Sequence, residues 1–218
     1  MSNNMTIWEA VNKTDPRHTK KVAQRGGFTS IDAMYQVMRA TEQFGPVGMG
    51  WGYNCTHSTL DTGPAGVLAF CDVSLWWIDG EREAKNIMEY GPVRGCNVLV
   101  DKTGRIDDDA PKKAMTDALT KALSHLGFSA DVFLGLFDDN KYVQARMNEE
   151  VKLDKGEQDI QWAKKVVARV MTAKDIGELN SLWEKTKPLM ETKSGEACEI
   201  INATFSTMRI GFTTKGEK

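Results

Sequence analysis

No run of about eighteen consecutive apolar residues occurs in these 218 residues, so no segment reads as a membrane-spanning helix. The opening MSNNMTIWEA lacks the basic start and apolar core of a secretory signal. Cysteine is sparse: Cys55, Cys71, Cys96 and Cys198 show no paired spacing, and His18, His57 and His125 are equally dispersed. That scatter matches no zinc motif and fits reduced thiols in a cytoplasmic setting. Enzyme signatures are missing as well. There is no GxxxxGK[ST] phosphate loop, no HExxH, no GxSxG and no CxxC, which argues against ATP hydrolysis by the phosphate-loop route and against those hydrolase and redox classes. An excess of positive charge is absent too. The net charge is −2, with 16 Lys/Arg against 20 Asp/Glu in residues 1–150 and 12 against 10 thereafter. Overall charge therefore does not announce a nucleic-acid binder, for which a pI above about 9 is the usual signal.

What the sequence does have is local segregation. TDPRHTKKVAQRGG (14–27) places Arg17, Lys20, Lys21 and Arg25 within nine positions, opposed only by Asp15 and followed by Gly26 and Gly27. A short charge run is ordinarily a solvated loop. The alternative is a grip on phosphates, with the glycines letting backbone approach a strand closely.

The remaining pattern divides into sheet and helix. Residues 5–12 read as a short amphipathic helix. TSIDAMYQVMRATEQFG reads as a second, capped by Ser30, with Asp32 in its first turn and Ile31, Met34, Tyr35, Met38 and Thr41 facing inward; Gly45 and Pro46 end it. GWGYNCTHS, GVLAFCDVSLWWID and EREAKNIMEYG, the last two joined at Asp79-Gly80, predict three antiparallel strands. Pro92 to Ala110 reads as irregular, with a hairpin turn at Lys102–Arg105. DDDAPKKAMTDALTKALSHLG is the strongest helix, with Asp109 as cap, Pro111 in the first turn and Gly127 as stop. Its Ala114, Ala118, Ala122 and Leu126 repeat predicts close packing on a flat partner such as the sheet. Residues 147–158 read as a polar linker. Beyond it lie short helices marked by Trp162, Val166 and Val170, by Ile176, Leu179 and Trp183, and by Cys198, Ile201, Phe205 and Met208. The fold class is α+β.

Two clusters carry competing readings. Asp107, Asp108 and Asp109 could bind magnesium for a nuclease, but a helix amino end favours negative charge and accounts for all three. Lys113, Asp117 and Lys121 are spaced by four, which suits a surface salt-bridge ladder contributing ~0.3–0.5 kcal/mol per pair. Alternatively Lys112, Lys113 and Lys121 form a basic ridge, since two lysines in a first turn run against the helix dipole.

The succession RGG, ATEQFG, FGPVGMGWGYN, a strand ending in EYG, and KKAMTDALTKALSHLG…LGLFDDNKY resembles the Rad fifty-two superfamily of single-strand annealing proteins, in its phage-encoded branch. The resemblance spans about Asp15 to Tyr142. It implies a β-β-β-α core that assembles into rings or spirals, with single-stranded DNA in a basic groove around the homo-oligomer. Carried across by residue, it implies phosphate contacts for Arg25, Lys112 and Lys121, and more loosely for Arg94. Local charge adds Lys20, Lys21 and Lys113. Thr120-Lys121 stands where relatives carry two adjacent basic residues, one charge fewer. The implied function is ATP-independent binding and annealing of complementary strands in recombination, with no catalytic residue, metal or cofactor. The alternatives are a non-annealing single-strand binder and a magnesium-dependent nuclease. Residues 1–150 would form the annealing domain, and 151–218 a helical region able to dock a single-strand-binding protein or an exonuclease. The setting would be a bacterial cytoplasm.

Overall fold

The computed structural model describes residues 4–23, 27–79 and 86–215. Arg25, Gly26, Gly80 and Lys85, each used in the sequence reading, lie outside that set. The chain divides into two compact units, Met1–Arg146 and Met147–Lys218.

The first unit is built on an antiparallel sheet of order β3-β4-β5, from β3 (Trp51–Asp61), β4 (Val67–Asp79) and β5 (Asn86–Val100). Strand side chains alternate between faces. In β4 the set Ala69, Cys71, Val73, Leu75 and Trp77 is buried, while Phe70, Asp72, Ser74 and Trp76 are only half-buried on the other face. Helix α3 (Ala110–His125) covers the first face. Its Ala114, Ala118 and Ala122 are fully buried and join Val73, Leu75, Trp51 and Phe128 in one core. The alanine repeat is thus a contact surface, and Gly95 of β5 explains how close the contact is. A Cβ built there would lie 2.1 Å from the Ala114 carbonyl oxygen and 2.5 Å from the Ala118 nitrogen. Helix and strand backbones nearly touch, and only glycine fits between them.

Four details differ from the sequence reading. First, β5 continues through Pro92 to Val100, the interruption being absorbed by a register shift opposite Val73–Leu75. The turn at Lys102–Arg105 is present, closed by the Asp101 carboxylate accepting from the Thr103 and Arg105 amides. Second, the cap of α2 (Ala33–Phe44) is Asp32, which accepts from the Met34 amide at 2.9 Å, because Ser30 is committed to a strand. Third, α2 buries Tyr35, Gln36 and Ala40, while Met34 and Met38 are 67% and 44% exposed. The inward arc is rotated by about one residue, toward Tyr35, Gln36 and Ala40. Fourth, residues 16–22 of the basic stretch form regular structure. A 3₁₀ turn (Pro16–His18) leads into β1 (Thr19–Val22), paired antiparallel with β2 (Phe28–Ile31). The short amino-terminal helix is α1 (Thr6–Val11), and α4 (Ala130–Phe133) follows α3.

Residues 147–158 are helical, not an irregular linker: α5 runs Asn140–Val170. Its many charged residues are good helix formers, and polarity alone did not mark a break. From Met147 onward α5, with α6 (Ile176–Met190) and α7 (Gly195–Lys215), forms the second unit, whose core is Ala163, Val170, Ala173, Leu179, Ala197, Ile201 and Phe205. Asp175 caps α6 by accepting from the Glu178 amide at 2.7 Å. Asp159 is 2% exposed, yet accepts from Lys193 Nζ at 3.0 Å and from the Ser194 amide at 2.8 Å. The Lys193 hydrogen bond is the largest influence on its carboxyl and holds it below the usual range. Among the described residues no helix is long and apolar enough to cross a membrane.

Candidate nucleic-acid interface

The base of the basic ribbon is fixed from below. Asp131 of α4 is buried and accepts three side-chain or backbone bonds from distant segments. Thr14 donates its amide at 2.9 Å and its hydroxyl at 2.5 Å, and Tyr142 donates its hydroxyl at 2.9 Å. One residue on, the Asp15 amide donates to the Tyr35 hydroxyl at 3.0 Å, and His18 stacks on the Tyr35 ring at 4.5 Å. Arg17 turns back on Asp15, with Nη2 2.7 Å from Oδ2. Arg17 is therefore part of the anchor, and its charge is locally cancelled. The Asp15 carboxyl sits below its usual value: burial opposes this as the largest single influence, and hydrogen bonds from the Arg17 side chain and amide together outweigh it.

Beyond this anchor, adjacent Lys20 and Lys21 project to opposite faces of the ribbon, opposite Ser30 and Thr29. Both are exposed. Lys21 reaches Asn140 Oδ1 at 3.4 Å and lines a shallow cavity of about 370 Å³ with Phe28, Thr29 and Asp138. One lysine thus closes on the body of the unit while Lys20 stands in solvent.

On α3, the buried alanine face forces the lysines outward. Lys112, Lys113 and Lys121 are all exposed. Lys121 Nζ lies 2.8 Å from Asp117 Oδ2, the i,i+4 pair the spacing suggested. Lys113 does not join that ladder. It folds back to Asp107 at 2.6 Å, and Asp107 also accepts from the Asp109 amide at 3.2 Å. Asp109 occupies the cap position but makes no side-chain cap bond. The two first-turn lysines are eased because one, Lys113, is neutralised by Asp107 just ahead of the helix. The Lys113 hydrogen bond is the chief reason the Asp107 carboxyl lies below its usual range, and the same bond raises Lys113.

Arg94 is held apart from these. It neighbours Gly95, which faces α3, so its side chain belongs to the opposite face of the sheet. There it forks onto Asp72 through Nε at 2.7 Å and Nη2 at 2.6 Å, and lies over the Phe70 ring at 5.3 Å. Hydrogen bonding to Asp72 raises Arg94 and lowers Asp72.

The sequence-predicted cations among the described residues therefore sort into three kinds, with Lys21 on Asn140 forming one alone. Lys20 and Lys112 project into solvent, whereas Lys113, Lys121 and Arg94 each rest on an aspartate. The partner that sequence reasoning missed is Asp72; the Lys121–Asp117 pair follows from the i,i+4 spacing, and Asp107 was named only as part of the acidic triplet, without its bond to Lys113. Strand pairing of Asp72 with Arg94 is visible only once the register is known. A separate grouping, Cys55, His57 and Cys71, also assembles on the helix-facing side of β3 and β4. The i,i+2 spacing of Cys55 and His57 on a strand was its sequence signal.

Exposed apolar side chains accompany these charges. Met49, Ile87 and Ile106 are 73%, 70% and 69% exposed in the first unit. No protein-family model matches this chain, and no curated protein sequence matches it.

Proposed function

We propose that this protein binds single-stranded DNA and anneals complementary strands without ATP, as the resemblance to Rad fifty-two superfamily annealing proteins implies. The observation that carries the reading is the β-β-β-α unit with its helix seated by alanines. That seating turns every lysine of α3 outward while the basic ribbon is anchored separately by Asp131 and Tyr35. Annealing needs a strand held extended, with phosphate repulsion damped and bases accessible, and it needs no catalytic group. Stacking of about 1.4 kcal/mol per step then drives the duplex.

One subunit offers few cations, and single-strand affinity follows the number of phosphates neutralised. The active form in this reading is a homo-oligomeric ring or spiral that repeats Lys20, Lys21, Arg25, Lys112, Lys113 and Lys121 along one track. Two features support assembly: the half-buried outer sheet face with Phe70 and Trp76, and the exposed Met34, Met49 and Ile106. Residues 1–150 would carry annealing, and 151–218 would dock a single-strand-binding protein or exonuclease.

The test mixes complementary oligonucleotides with protein in EDTA, without ATP, and measures mass in solution with and without a long single strand. Accelerated duplex formation by a large oligomer supports the proposal. Protection without acceleration would make the protein a plain single-strand binder. Strand cleavage appearing only with magnesium would replace both readings with a nuclease. A monomer that anneals fully would overturn the oligomeric track.

A further inference from the structure

The sequence holds four cysteines and three histidines, and three of these seven residues meet at one point. Cys55 and His57 lie two apart on β3 and so share a face, and the β3–β4 register sets His57 directly opposite Cys71. The candidate donor atoms of all three lie within 4.8 Å of one another, with Cys71 Sγ 4.0 Å from His57 Nε2. Buried cysteine on its own is usually a small apolar filler, and Cys71 alone would be read that way. Here, however, the filler is joined by a second thiol and an imidazole from the adjacent edge strand.

We propose that Cys55, His57 and Cys71 form a zinc(II) site with water at the fourth position. Zinc takes thiolate and imidazole donors in tetrahedral geometry, with Zn–S near 2.3 Å and Zn–N near 2.0–2.1 Å, which sets donor atoms roughly 3.3–3.8 Å apart. The present spacing is within about an ångström of that, so small side-chain rotations close the set. Access and anchorage are divided between the donors. Cys55 and His57 are exposed and admit the ion, while Cys71 is fully buried and ties it to the core. Two thiol protons leave to solvent as the two Zn–S bonds form, and imidazole binds in its neutral form. The consequence is a clip across β3 and β4 where β3 is otherwise exposed from Asn54 to Asp61. The site uses none of the lysines or arginines assigned to DNA, so it stands or falls independently of annealing.

The test uses the full chain, reduced and stripped of metal, titrated with cobalt(II) and then with zinc(II). One cobalt per chain, with thiolate charge-transfer and tetrahedral d–d absorption that zinc abolishes, is the expected result. Cys55→Ser and His57→Ala, both at exposed positions, should each weaken metal binding by roughly 100-fold or more, beyond what loss of a supporting contact costs. Cys96→Ser, outside the trio, should leave the titration unchanged. No thiolate band in the reduced protein would overturn the proposal. A band that survives in both Cys55→Ser and His57→Ala, or that vanishes in Cys96→Ser, would overturn it equally.

Discussion

The second unit buries the carboxylate of its Asp159–Lys193 pair, whereas the first unit, apart from Arg17–Asp15 at the base of the ribbon, carries three aspartate pairs on its surface. In the second, Asp159 is buried between Lys193 and the Ser194 amide, so the carboxylate fixes the α6–α7 connection. In the first, Arg94–Asp72, Lys113–Asp107 and Lys121–Asp117 all lie on exposed faces. A buried carboxylate deprived of its partner is an uncompensated charge, so such a pair cannot be exchanged for a ligand. A surface pair is worth little and is easily traded for another anion. The same residue types thus serve fixation in one unit and, in the function proposed above, exchangeable charge in the other.

The sharpest way to break the first unit is at its closest approach. Gly95→Ala places a methyl against the α3 backbone, which has no flexible side chain to yield. Overpacking of this kind costs about 3 kcal/mol, lowering Tm by about 6–12 °C. Melting by circular dichroism checks it; an unchanged Tm would mean that α3 does not rest on β5 as described. Next in size is Asp131→Ala, which leaves the Thr14 amide and the Tyr142 hydroxyl without their acceptor. A loss of about 2–3 kcal/mol is expected. Because the anchor of the basic ribbon goes with it, amide exchange at Thr14 should accelerate more than exchange within β4.

The second unit is tested through pH. The Asp159 carboxyl lies below its unfolded value near 3.8, chiefly through the Lys193 hydrogen bond. A carboxyl lowered by folding contributes stability that is fully present above the unfolded pKa and is lost as pH falls through the folded one. Protection of the Ser194 amide in the full chain should therefore hold from neutrality to about pH 4 and decline below it. Asp159→Asn should show reduced protection at neutral pH and a flatter acid limb. An acid limb identical to that of the parent protein would assign the decline to other carboxylates.

These positions also show what the sequence could and could not reveal. The three strands, the alanine face of α3 and the caps near Gly45 and Gly127 follow from local periodicity and turn chemistry, which act over a few residues. Gly95 was not legible, because its role exists only against Ala114 and Ala118, some twenty residues away. Ser30 was misread as a cap because a two-stranded ribbon competes for it, and that ribbon depends on Thr14 meeting Asp131 across 117 positions. The lysines of α3 were legible as outward-facing from the alanine repeat. Their aspartate partners were only partly so: Asp117 lies on the same helix at i,i+4, whereas Lys113 reaches past the helix start to Asp107. The same limit hid the Cys55, His57 and Cys71 grouping, two-thirds of which is local and one-third of which needs the strand register.

The smallest effects expected on stability are the most telling for function. Asp72→Asn and Asp117→Asn each remove a surface carboxylate that occupies Arg94 or Lys121. Asp72 sits on the outer sheet face, and asparagine at 117 keeps a side-chain oxygen for the Cys96 amide, which donates to Asp117 at 3.3 Å, so Tm should hardly move. If these cations meet phosphates, the aspartates are competitors: each must be displaced before a strand can bind, and each repels the strand as it arrives. Freeing one cation should then raise single-strand affinity by about two- to fivefold at low salt, converging with the parent protein as salt screens the difference. The two variants separate two surfaces, because Asp117 lies on α3 and Asp72 on the sheet face turned away from it. A gain from Asp117→Asn alone would place the strand along the helix and keep Arg94 outside the interface. A gain from Asp72→Asn alone would move the track to the outer sheet face. Unchanged affinity in both would mean that neither Arg94 nor Lys121 contacts DNA, and the proposed track would then lose Lys121.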